Sequence, residues 1–192
     1  MPLRHRAALA CGIAAPACFV AAWVTGGLLR NGYDPVEEAI SQLAREGSTD
    51  RAVMTAGFVG FGVLLPVFAR TAAKAMDAPG MGAAMTVAAV GTLAVAGLPL
   101  AEEPGGLPDL LHAVAAGTGY VGQIVAPALG AAAFARRGHS GAAKASGAVA
   151  ATSAAALLLS ITVGPTGLWQ RTGLTVVDCW YAGVATWLLR RG

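Results

Sequence analysis

Asp178 stands inside the last apolar stretch of the chain, twelve residues before Arg190. On a helix that is about 18 Å at 1.5 Å per residue, which places it within hydrocarbon if the stretch spans a bilayer. An ionised carboxyl there costs at least about 2.5–3.5 kcal/mol. It is expected to face neighbouring helices and to find a hydroxyl or Arg171, or to hold a proton. Three further acids, Asp34, Glu37 and Glu38, stand close together between the first two apolar stretches. They read either as the solvated acids of a capped connecting helix or as the rim of a site. Asp109 and His112 are three residues apart and share a helical face. They could pass a proton, ligate a metal together with Glu102, Glu103 or the first-loop acids, or cap a helix. His5 and His139 lie toward the other end, so such a metal set has no second histidine. The expected catalytic set is therefore Asp178, Glu37, Glu38, His112 and Asp109.

A second group of residues could hold a substrate. Tyr120, Gln123 and Pro127 fall on one face of the fourth stretch, and a buried amide must find partners, as interhelical glue or as a ligand group. Tyr33, Trp169, Arg171, Trp180 and Tyr181 gather toward the same side. Aromatics there usually form an interfacial belt. Trp180 and Tyr181 lie deeper, beside Asp178, where their faces could stabilise a cation. The expected substrate-binding set is Tyr33, Tyr120, Gln123, Trp169, Arg171, Trp180 and Tyr181.

Other chemistries have no motif here. No phosphate-cradling glycine loop, GxSxG elbow, HExxH motif or Cys–His cluster occurs in the sequence. No metal and no cofactor is implied. Cys11, Cys18 and Cys179 sit in apolar stretches without metal spacing and read as small hydrophobes. Basic residues are too few and scattered for nucleic-acid binding.

The elements that must position these side chains are set by composition. Of 192 residues, 56% are hydrophobic and 12% charged, where soluble domains carry about 25% charged. Mean hydropathy is +0.62. A bilayer is the simplest solvent for such a chain, and its 26 glycines suit close helix packing in lipid. Six stretches approach the length of about 20 residues that a crossing requires. They run from about Ala7 to Leu29, Ala52 to Ala69, Met81 to Leu100, Ala113 to Ala135, Ala142 to Val163 and Thr172 to Leu189. Between the first two, Asp34, Pro35 and Glu37 form a helix-start signature. Val36, Ile40 and Leu43 follow as an apolar stripe, which predicts a short amphipathic helix at the membrane surface. The predicted fold is all-α: a polytopic bundle of six transmembrane helices in one domain over residues 1–192.

Charge orients it. If both termini are cytoplasmic, that side holds Arg4, Arg6, Arg70, Lys74, Arg136, Arg137, Lys144, Arg190 and Arg191, nine of the 13 basic residues. Eight of the ten acids then lie in the outer connections: Asp34, Glu37, Glu38, Glu46, Asp50, Glu102, Glu103 and Asp109. The expected location is the cell membrane, with any site opening outward.

Three short motifs carry a resemblance. Tyr33-Asp34-Pro35 is followed by Ile40-Ser41-Gln42-Leu43; Leu98-Pro99 by Leu111-His112-Ala113; and Gly167-Leu168-Trp169-Gln170-Arg171 leads into a stretch containing Trp180. In order and spacing they resemble the bacterial membrane family called domain of unknown function 998. That resemblance covers essentially the whole chain and implies a six-helix integral membrane protein. The acids without a metal also look like the feature set of small membrane-bound terpene cyclases, although no long motif is shared. This implies acid-initiated cyclisation of an isoprenoid, with Asp178, Glu37 or Glu38 delivering the proton. The alternatives are a non-catalytic lipid- or partner-binding bundle and, on weaker grounds, a small transporter. Expected partners are the bilayer and an amphiphilic isoprenoid or lipid, with no nucleic acid.

Overall fold

The computed structural model describes residues 2–191. Six long helices account for most of them: α1 (Leu3–Leu29), α2 (Arg51–Ala75), α3 (Pro79–Gly97), α4 (Gly106–Arg136), α5 (Ser140–Thr162) and α6 (Thr166–Arg191). Among the described residues there is no strand. Helices α1 to α5 are long and apolar enough to cross a membrane. Helix α6 has the length, but Arg171 and Asp178 lower its hydropathy. Both side chains are buried, so the helix hides its charge inside the bundle.

Each helix packs against its neighbours in sequence, and α1 closes against α6, so the six form a ring. The contacts are close because the contact residues are small. A methyl group at Gly91 would overlap the backbone of Gly119, and one at Gly122 would overlap the backbone of Ala88. Neither α3 nor α4 could approach so closely with larger residues there.

The long connections, residues 30–50 and 98–105, lie at one end, where the Glu46 amide donates to the Leu100 carbonyl at 2.9 Å. At the opposite end, Arg137 donates from Nη1 to the Met76 carbonyl (2.8 Å) and from Nη2 to the Ala75 carbonyl (3.0 Å). A cation thus satisfies carbonyls that α2 leaves free at its C-terminus.

The first connection departs from the amphipathic helix predicted from Asp34. The Asp34 carboxylate accepts from the Val36 amide (2.8 Å) and Glu38 reaches back to the Asp34 amide (3.0 Å), so the capping chemistry forms one turn. Then Ala39 is extended (φ −63°, ψ 151°), and a 3-10 helix follows over Ile40–Ala44. The reason lies in the carbonyls of residues 35–38. A continued helix would direct the Pro35 to Glu38 carbonyls to its own next turn, but those of Pro35 to Glu38 all accept bonds from α6. Ile40 and Leu43 are buried, while Val36 is exposed.

Candidate functional site

The start of α6 is built as a clasp for this connection. The Leu168 amide donates to the Val36 carbonyl (2.8 Å) and the Gly167 amide to the Glu37 carbonyl (3.4 Å). Both are first-turn N–H groups with no acceptor in their own helix. Gly167 lets the loop come so near, since a methyl group there would overlap the Glu38 carbonyl and nearly so that of Pro35. Arg171 then donates from Nη1 to the carbonyls of Pro35 (2.7 Å), Glu38 (2.9 Å) and Gly167 (3.1 Å), and from Nη2 to the Tyr33 hydroxyl. Its guanidinium lies 5.2 Å from the Trp23 ring centre and 5.5 Å from that of Tyr33. Tyr33 donates in turn to the Ala39 carbonyl at 3.1 Å. The phenol of Tyr33 is pushed above the ordinary tyrosine value by burial, an effect that Arg171 partly opposes. In this geometry Arg171 and Tyr33 fasten the fold, and neither lines the pocket beneath.

Beneath the clasp is a pocket bounded by α1, α2, α3, α4, α6 and the 3-10 helix. The space among its side chains is about 520 Å³ including the mouth, of which about 50 Å³ accepts the centre of a water molecule. Its apolar wall contains Phe19, Phe58, Phe61, Val95 and Leu174. Phe19 lies 5.9 Å from Phe58 and 5.8 Å from Phe61, ring centre to ring centre. His112, Tyr120, Gln123 and Gln170 supply the main polar groups. No Asp, Glu, Lys or Arg is among the described residues that line it.

Each polar group is held by its neighbours. His112 is buried, and its Nδ1 lies 2.7 Å from the Leu98 carbonyl, which ties the end of α3 to the start of α4. Gln170 accepts from the Ile40 amide at 2.7 Å and donates through its amide nitrogen to the Tyr120 hydroxyl. Gln123 is 4% exposed, and its side-chain oxygen has no hydrogen-bond partner among the described residues. A buried acceptor left unpaired costs about 1–3 kcal/mol.

Asp178 and Glu37 do not share this pocket with Gln123. Of the predicted residues, His112, Tyr120 and Gln123 line the pocket, and the others do not. Glu37 is exposed, and Glu38 is engaged with the Asp34 amide. Asp109 does not pair with His112: its two carboxylate oxygens accept from the Ala101 amide (2.9 Å) and the Gly105 amide (2.8 Å), closing the α3–α4 connection. Trp169 is half-buried outside the lining. Trp180 donates to the Ser146 hydroxyl at 2.8 Å and packs against Gly130, between α4 and α5. Asp178 is buried, and neither oxygen has a partner among the described residues. It stands one helical turn beyond Leu174, which lines the pocket, and the Tyr181 ring lies 6.4 Å from that of Phe61, tilted by 54°. Neither Asp178 nor Tyr181 lines the pocket.

A family model described as "Protein of unknown function (DUF998)" matches residues 13–187. The chain belongs to the DUF998 family. No curated protein and no solved structure matches it. The three short motifs that suggested this family have structural roles here. Tyr33-Asp34-Pro35 and Gly167 to Arg171 are the two halves of the clasp, and Leu98 with His112 is the hydrogen bond joining α3 to α4.

Gln170, Phe19, Phe58 and Phe61 were not among the expected site residues. Gln170 stands four residues before Leu174, on the face that enters the bundle, and its motif neighbour Arg171 drew attention to charge instead. Phe58 and Phe61, three residues apart, share one face of α2. That spacing alone does not distinguish a pocket wall from ordinary core.

Proposed function

We propose that this protein is a six-span membrane protein whose pocket binds the polar end of a neutral amphiphile, with the apolar remainder extending along the phenylalanine wall toward lipid. The observation that carries this reading is Gln123, a pocket-lining residue whose side-chain oxygen is buried without a partner, beside His112 and Tyr120 in the same lining. A polar set of this kind in an apolar cavity fixes orientation, while the wall supplies contact area. The 26 residues of α6 span about 39 Å at 1.5 Å per residue, enough for the sixth crossing. The excess of basic residues at the end holding both termini supports a cytoplasmic assignment for that end.

Native mass spectrometry of the protein in detergent tests the pocket. Wild type is expected to take up one 1-dodecanol molecule saturably. Ala116→Phe, which fills the half-buried pocket wall, is expected to lose that adduct. Equal uptake by the variant, or no saturable adduct on wild type, contradicts this reading.

A second reading, metal-independent acid-initiated cyclisation of an isoprenoid, has one observation in its favour: the Asp178 carboxyl is buried and unpartnered one turn below a pocket-lining residue. Asp178 would protonate an alkene or epoxide once Leu174 and Phe61 yield. This reading predicts that Asp178→Asn abolishes product formation from an isoprenoid substrate in a folded protein, and full turnover by that variant removes it.

A further inference from the structure

The hydrogen-bond directions around the pocket are fixed from outside it, and they define what the ligand head must be. The Ile40 amide can only donate, so the Gln170 side-chain oxygen is its acceptor and the Gln170 nitrogen must face the other way. That nitrogen donates to the Tyr120 oxygen, so the Tyr120 hydrogen points elsewhere. Tyr120 donates to no atom among the described residues, and it lines the pocket. On the other side, the Leu98 carbonyl can only accept, so His112 Nδ1 carries the hydrogen. In the neutral ring, Nε2 is then left as the acceptor, and His112 lines the pocket. Among the lining groups with fixed hydrogen positions, the Tyr120 O–H is a donor and His112 Nε2 an acceptor, while the Ser41 hydroxyl can act as either. The unpaired Gln123 oxygen is packed against its neighbours and meets a ligand once its amide turns.

We infer that the ligand head is a hydroxyl group: an uncharged alcohol whose oxygen accepts from Tyr120 and whose hydrogen is donated to His112 Nε2 or to the Gln123 oxygen. This rests on the pocket being a ligand site, as proposed above. A hydroxyl supplies one donor and acceptor lone pairs on the same atom, matching a site with both polarities. An ether has the lone pairs but no hydrogen, so it leaves His112 and Gln123 unanswered, and such a mismatch at buried polar groups discriminates strongly. A carboxylate or an ammonium group would enter a pocket with no charged side chain among its described lining, at a large desolvation cost. The ligand class is therefore a long-chain or isoprenoid alcohol, or another lipid ending in a free hydroxyl.

The test is a competition read by native mass spectrometry on the full chain in detergent. The probes are 1-dodecanol, dodecyl methyl ether, dodecanoate and dodecylammonium, each with wild type, Ala116→Phe and Tyr120→Phe. The expected result is one saturable dodecanol adduct on wild type, at least tenfold weaker uptake of the other three, and at least tenfold weaker dodecanol uptake by Tyr120→Phe that still melts cooperatively. Equal uptake of ether and alcohol, both blocked by Ala116→Phe, overturns the hydroxyl assignment and leaves the pocket reading standing. Preferred uptake of dodecanoate or dodecylammonium also overturns it. No adduct blocked by Ala116→Phe overturns both.

Discussion

Arg171 reaches four acceptors: three carbonyls and the Tyr33 hydroxyl. A lysine keeps the charge but cannot present a planar fork, so it cannot hold the same set. Arg171→Lys is expected to cost about 2–3 kcal/mol, since buried carbonyls lose donors, and to lower the melting temperature in detergent. A variant as stable as wild type would show that the loop is held otherwise. Tyr33 gives this clasp a pH dependence. Its folded pKa is raised chiefly by burial above the ordinary value of about 10. A raised group contributes fully below its unfolded pKa and loses that contribution as pH climbs through its folded pKa. Wild type should therefore lose stability above about pH 10 more steeply than Tyr33→Phe, and identical slopes would contradict this. The sequence reading assigned Arg171 and Tyr33 to substrate contact. Their hydrogen bonds within the fold were not legible, because Pro35, Glu38 and Tyr33 are more than 130 residues from Arg171 along the chain.

At the scale of elements, close approach is the recurring device. Gly167→Ala puts a methyl group against the Glu38 carbonyl, and Gly122→Val puts an isopropyl group into the α3 backbone. Overpacking of this kind typically costs about 1–3 kcal/mol. Each variant should melt lower in detergent, Gly167→Ala by freeing the first connection and Gly122→Val by parting α3 from α4; unchanged melting would mean that the backbones have room to separate. The long helices were legible because apolar runs of this length admit few other folds in lipid. Their ends were less so: α4 begins at Gly106 and α6 at Thr166, each several residues before its apolar run. Pro108 and Asp109 at the start of α4, and Gln170 and Arg171 at the start of α6, interrupt the apolar runs, so hydropathy does not register those first turns. The connection after α1 failed as a helix for a different reason. Its local pattern was helical, and α6 took the carbonyls a helix needs.

Across the whole molecule, the ring of helices leaves a pocket under the clasp, lined by aromatic side chains from α1 and α2 and by polar groups from α4 and α6. Three of the expected site residues, His112, Tyr120 and Gln123, were legible because they are polar side chains on a helix face in an otherwise apolar stretch. Whether Asp178 reaches the pocket was not legible, since depth along α6 does not show which cavity a side chain enters, and Asp178 is not in this lining. The account depends on Gln123 being buried for a ligand and not for the fold. Gln123→Leu separates the two, because leucine removes the unpaired oxygen and nearly preserves the side-chain volume. Melting temperature and 1-dodecanol uptake of this variant, measured on one preparation, should show stability equal to wild type or higher and uptake at least tenfold weaker. A marked drop in stability with uptake unchanged would contradict the account.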